Sequence, residues 1–212
     1  MKARNFALIA LILAAPLWAQ ADLSEDRTEL LEGKERFTWQ RPDRVVQLLS
    51  LREGETVVDL GAGSGFFARI LSSSVGLTGI VHALEFNPKL VEHMKSPQAR
   101  DPYGNILPAL VEGGELPLGA GEADLVLSVN HWHRFQDRAS IGSEVSRVLK
   151  PGGRLVIVDW HQSAPDWTIP QANRLDRKQL IDEMQAAGWE LTSESHMLRY
   201  QFVMIFRKPT QG

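Results

Sequence analysis

The chain predicts a doubly wound α/β fold: a mostly parallel sheet of seven strands with an antiparallel last strand, and helices on both faces. Three observations carry this. Between residues 56 and 160, short β-branched apolar runs alternate with segments of helical period, which implies parallel strands and covering helices. At the first strand-to-helix junction stands "DLGAGSGFF" (59–67), an acid followed by three glycines at alternate positions. Two alternating runs close the chain with nothing of helix length between them, so they must pair antiparallel.

The elements follow in order. Residues 22–38 are highly charged and read as a loosely packed N-terminal arm or helix. Pro42 suits the first turn of a helix whose apolar face is Val45, Val46, Leu48 and Leu49. Strands are expected at 56–60, 80–84, 106–111, 123–129 and 154–160, the last after a Pro151-Gly152-Gly153 turn. Helices are expected at 65–73, 88–95 and 138–149. Asp176 caps a further helix carrying Leu180, Ile181, Met184 and Ala187, which stops at Gly188, and the closing runs lie near 189–194 and 199–206.

The first 21 residues, "MKARNFALIALILAAPLWAQA", combine a basic start at Lys2 and Arg4, ten apolar residues and an Ala19-Gln20-Ala21 cleavage site. They are expected to be a secretory signal, leaving one domain over 22–212 in an exported, periplasmic protein. The apolar run is shorter than the ~20 residues of a spanning helix, so no stable membrane insertion is expected after cleavage. Removing that segment leaves 21 basic against 26 acidic residues, a net charge of −5, with the basic residues scattered. Phosphate backbones would be repelled, so nucleic acid is not an expected partner. The sequence has no cysteine, which excludes disulfides, a thiol nucleophile and thiolate metal sites.

A glycine loop opening a helix exposes backbone N–H groups to a ligand. A phosphate-cradling loop needs Lys and then Ser or Thr after its last glycine, where Phe66 and Phe67 stand. Phe66 also fills the sixth position, where the dinucleotide fingerprint needs a small residue. What remains is an acid, Asp59, then Gly61, Gly63 and Gly65, with Glu85 at the end of the second strand 24 residues after Gly61. Glu112 adds a third carboxylate. Three acids around one cleft disfavour polyphosphates and favour a cationic ligand, and S-adenosylmethionine, with its ammonium and sulfonium, suits them.

The blocks "RPDRVVQLLSLREGETVVDLGAGSGFF", "GGELPLGAGEADLVLSVNHWHRF" and "RVLKPGGRLVIVDW" resemble the class I S-adenosylmethionine-dependent methyltransferases over roughly residues 36–206. Within them the chain is similar to methyltransferases exported by bacteria. The resemblance implies a Rossmann-like fold, S-adenosyl-L-methionine as cofactor and methyl transfer to an acceptor the sequence does not identify: a small molecule, a lipid or an envelope component. It assigns Gly61, Gly63 and Gly65 to cofactor binding. Asp59 either caps loop amides or faces the ligand's ammonium, and Glu85 accepts the ribose hydroxyls or is a solvated strand-end acid. Phe86 could cover one face of the adenine. Glu112, where relatives usually carry Asp, could meet the adenine edge, and Asn130 the methionine part or the substrate.

"NHWHRF" (130–135) carries the candidate chemistry. Methyl transfer needs alignment and dryness more than acid–base help, and a base matters only if the nucleophile arrives protonated. His131 and His133 are the candidate catalytic bases, against the plainer reading that one histidine is structural and Trp132 is core. The histidine spacing would also permit a two-His metal site, but with no carboxylate motif nearby no metal is expected. The competing functions are a non-catalytic nucleoside-binding module on the same fold and a nicotinamide oxidoreductase, the latter disfavoured by Phe66.

Overall fold

The computed structural model describes residues 31–99 and 101–208. The expected signal, residues 1–21, lies outside them, as does the arm as far as residue 30. A helical turn, α1 (Arg36–Trp39), leads into α2 (Pro42–Leu49). Then come β1 (Thr56–Leu60), α3 (Phe66–Val75), β2 (Ile80–Glu85), α4 (Pro88–Lys95), β3 (Ile106–Leu110) and β4 (Ala123–Val129). The second half is α5 (Arg138–Val148), β5 (Leu149–Trp160), α6 (Arg177–Ala186), β6 (Glu190–Ser195) and β7 (Gln201–Arg207). Among the described residues no helix is long and apolar enough to cross a membrane.

The seven strands form one sheet in the order β3-β2-β1-β4-β5-β7-β6. The first five are parallel, while β7 enters antiparallel between β5 and β6. Alternation of side chains sorts each central strand onto two cores. Val58, Val126 and Leu155 face a layer built with Ile141 and Val145 of α5 and Leu180 of α6. Val57, Leu125 and Val156 face the opposite layer, with Val45 of α2, Leu71 of α3 and Val91 of α4. The sheet is therefore covered on both faces, as the near-continuous apolar strands require.

The expected turn at Pro151-Gly152-Gly153 is absorbed into β5 rather than preceding it. Leu149 already pairs with Ala123, and the register shifts before Leu125 pairs with Arg154. The intervening residues form a bulge, with Gly152 at φ 76°, so β5 begins five residues before the strand expected at 154. Of the expected arm or helix, residues 31–38 are described, and their end packs on the domain. Arg36 and Gln40 are buried, and the Arg36 guanidinium lies 3.9 Å over the Phe66 ring while its Nε donates to Gln40 Oε1 at 2.7 Å.

The order reverses between β1 and β4, since the chain leaves β3 at one edge and returns on the far side of β1. Beyond the carboxyl ends of those two strands a crevice opens, the usual ligand position in such sheets. Phe202 of β7 is fully buried in the layer that holds Val58 and Ile141. Phe202→Ala is expected to lower unfolding free energy by roughly 3–5 kcal/mol in urea melts, the range for large core deletions.

Candidate functional site

The glycine loop is built by β1 and held by β2. Gly61, Gly63 and Gly65 all have positive φ (79°, 60° and 83°), which side-chain-bearing residues rarely adopt. Gly61 and Ala62 donate their N–H groups to Leu84 O at 2.8 and 3.0 Å. The Glu85 carboxylate gathers three more N–H groups: Gly63 to Oε2 at 2.7 Å, and Phe86 and Asn87 to Oε1 at 2.8 and 3.0 Å. One buried acid thus fixes the loop on one side and the start of α4 on the other. About four acceptor directions exist on a carboxylate, so Oε2 keeps one for a ligand hydroxyl.

Asp59, at the end of β1, is 2% exposed, and its Oδ2 is buried without a hydrogen-bond partner among the described residues. Burial, reinforced by the neighbouring Glu85 charge and opposed by Arg36, raises its pKa to about 7. It lines a cavity together with Gly61, Gly63, Glu85, Asn130, His131 and His133. Arg36, a residue sequence reasoning missed, closes the wall from the N-terminal side, and burial lowers its pKa to about 10. An unpartnered carboxylate oxygen and a buried guanidinium therefore face one space.

The two candidate histidines part ways. His131 is buried and packs on the loop: a Cβ added to Gly61 would lie 2.2 Å from its Cγ. Its ring stacks on Phe86 with centroids 5.0 Å apart and planes 14° apart. Burial, with Arg134 and His133 nearby, lowers its pKa to about 3, so it stays neutral. His133 instead meets Asp159 of β5, with Nδ1 2.8 Å from Oδ1 and its backbone N–H donating to Oδ2 at 3.0 Å. Asp159 has no exposed surface and also accepts the Trp160 N–H at 2.8 Å.

Several expected site residues stand apart from the cavity. Glu112 is exposed and pairs through its backbone with Glu115, so it contributes no wall. Gly65 is needed for another reason: its left-handed φ caps α3, and a Cβ there would press on Met94 at 3.2 Å. Phe86 lies behind His131, whose ring takes the face expected to cover adenine. A ring inserted between the two needs about 7 Å, twice a contact distance of ~3.5 Å, so His131 must turn for Phe86 to serve. Asn130 does line the cavity. It adopts φ 54° and accepts from Gln201 Nε2 of β7, a partner no local signal announces. Among the described residues no group of three or more His, Asp or Glu could hold a metal ion.

The raised Asp59 pKa makes stability depend on pH. The folded chain holds a proton on Asp59 up to about pH 7, whereas an unfolded Asp releases it near 4. This group's contribution is full below pH 4 and declines by about 1.4 kcal/mol per unit as pH rises toward 7. Asp59→Asn is expected to flatten that slope, measured as the wild-type-minus-variant difference in unfolding free energy between pH 5 and 8.

Residues 58–157 match the model of a family described as a methyltransferase domain. The chain is 32% identical over 186 residues to the chloroplastic 2-phytyl-1,4-beta-naphthoquinone methyltransferase of Arabidopsis thaliana, spanning 85% of this chain and 69% of that one. It is 31% identical over 116 residues to the arsenite methyltransferase of Halobacterium salinarum, spanning 55% of this chain but only 30% of that relative. A SAM dependent methyltransferase from Aquifex aeolicus shares the fold, with TM-score 0.81 at 23% identity over 88% of this chain and all of that one. Through its 32% identity to the naphthoquinone methyltransferase across 69% of that relative, and the methyltransferase domain matched at 58–157, the chain belongs to the class I S-adenosylmethionine-dependent methyltransferase superfamily.

Proposed function

We propose that this protein is an exported methyltransferase that binds S-adenosylmethionine in the crevice between β1 and β4 and methylates an apolar, flat small molecule or lipid. The observation that carries the reading is the unpartnered Asp59 Oδ2 in a cavity it shares with Glu85. The Glu85 charge, joined by Asp59 once an approaching ammonium displaces its proton, favours the cationic methionine end of this donor over a dinucleotide. Arg36 would face the donor's carboxylate, Gly63 would let the chain approach closely, and Glu85 Oε2 would accept a ribose hydroxyl. When bound, the donor supplies a methyl group already activated by its sulfonium. The chain's own residues then orient the acceptor and exclude water.

The relatives' names offer two acceptor chemistries, a naphthoquinone and arsenite. Soft arsenic favours thiolate ligands, and this sequence has no cysteine. Aromatic surface favours the other. Trp160 lines the cavity and stacks on Trp39 at 5.2 Å, and Trp167 meets both edge-on at 6.3 and 5.6 Å while remaining 53% exposed. Flat rings of this kind offer area to a flat apolar acceptor. Export rests on the basic start, apolar run and cleavage site of residues 1–21. Fractionation is expected to find a chain beginning at Asp22 outside the cytoplasm, and full-length protein confined to the cytoplasm would refute export.

Calorimetry tests the donor site. Gly63→Val is expected to abolish binding of S-adenosylmethionine and S-adenosylhomocysteine, because it imposes a branched side chain at φ 60° beside the cavity. Glu85→Ala should weaken both ligands alike by roughly 1.5–3 kcal/mol, since they share the ribose. Unchanged affinities in both variants would defeat the assigned site. A donor-consumption assay on the wild type then separates methyl transfer from mere binding.

A further inference from the structure

His133 is held in a way that the donor site does not require. Its Nδ1 lies 2.8 Å from Asp159 Oδ1, and the same carboxylate accepts the backbone N–H groups of His133 and Trp160. A carboxylate that already accepts two backbone N–H groups, and that is a stronger acid than imidazole, meets Nδ1 as an acceptor too, which places the ring proton on Nδ1 and the lone pair on Nε2. Among the described residues Nε2 has no hydrogen-bond partner, and the His133 side chain, 7% exposed, lines the cavity. The charged and titratable groups sharing that space are Asp59, Glu85 and Arg36, with Arg134 and His131 on its own segment. His131 lacks this arrangement, since its ring is spent on Gly61 and Phe86.

From this geometry we infer that His133 is a general base, oriented by Asp159 as a positioning residue, and that the acceptor is therefore a hydroxyl compound methylated on oxygen. The inference rests on the methyltransferase reading and names the atom that reading leaves open. A phenol-type hydroxyl ionises near pH 10, so at neutral pH it reaches the site protonated and is a weak nucleophile. As the acceptor oxygen bonds to the methyl carbon, the carbon–sulfur bond breaks and its electron pair stays on sulfur. The hydroxyl proton passes to His133 Nε2, the imidazolium is stabilised by Asp159, and the proton then leaves to water. A thiol or a carbon nucleophile of high electron density would not call for this pair.

Two flat probes separate base catalysis from structural support: 1-naphthol, which needs a base, and 1-naphthalenethiol, which ionises readily without one. In the wild type, 1-naphthol is expected to yield its methyl ether. In His133→Gln that rate is expected to fall by roughly 100-fold or more, the usual range for a lost general base, while methylation of the thiol falls far less. Equal losses on both probes, an unchanged naphthol rate, or methylation of a ring carbon would overturn the inference. Nitrogen-15 spectra of the imidazoles in the donor-free protein supply an independent reading. The wild type should show His133 protonated on Nδ1 at pH 8, and Asp159→Asn should move that proton to Nε2. A wild-type Nε2–H form would overturn the proposal whatever the rates. If neither probe accepts a methyl group, the flat-acceptor reading fails on its own and the spectra alone decide whether His133 presents a basic nitrogen.

Discussion

Three backbone N–H groups converge on the carboxylate of Glu85, and the site's geometry depends on that convergence. The acid is 5% exposed, so its charge must be met by donors, and the donors come from two segments 22 or more residues apart in sequence. Gly63 can reach it because the loop has already turned back over the end of β2 through the bonds of Gly61 and Ala62 to Leu84 O. Phe86 and Asn87 reach it because the chain turns into α4, where Asn87 accepts from Lys89 N–H as the helix cap. Hydrogen bonds to an ionised group are worth about twice neutral ones, so this single side chain outweighs the ordinary ladder bonds around it. It also brings one negative charge toward Asp59, which is part of why Asp59 resists ionisation.

Much of the fold was legible because its signals are local. Period-two apolar runs and period-3.6 faces placed β1, α4 and β4 at the bounds observed, since burial of both sheet faces leaves little freedom in where such runs stop. The antiparallel pairing of β6 and β7 followed from the short connection between them. The Pro151-Gly152-Gly153 segment misled because a turn signature and a bulge signature share the same residues. Only pairing of Leu149 with Ala123 tells them apart, and that contact is non-local.

The site was legible to the same extent and failed for the same reason. Asp59, the loop and Glu85 sit at strand ends, where topology alone puts them beside the crevice. Arg36 was hidden in a run of charges, and its burial depends on Phe66 offering a ring face 30 residues on. Glu112 follows β3, the edge strand of the sheet, and is exposed, outside the set of residues that line the cavity. The histidines could not be told apart from their spacing of two. One meets a glycine that has no side chain to keep it away, and the other meets Asp159, 26 residues later in sequence.

The contact between Gln201 and Asn130 spans 71 residues and joins the Asn130 side of the crevice to β7, the last strand in sequence. Asn130 holds a left-handed backbone that an isolated β4 end would not favour. During synthesis β1 to β5 can pair first, and Gln201 reaches Asn130 only when β7, which it begins, slots in between β5 and β6. The Asn130 wall of the crevice thus depends on a contact of high sequence separation, the kind that forms slowly. The glycine loop is held by neighbours near in sequence, whereas that wall is completed only by the last strand of the chain.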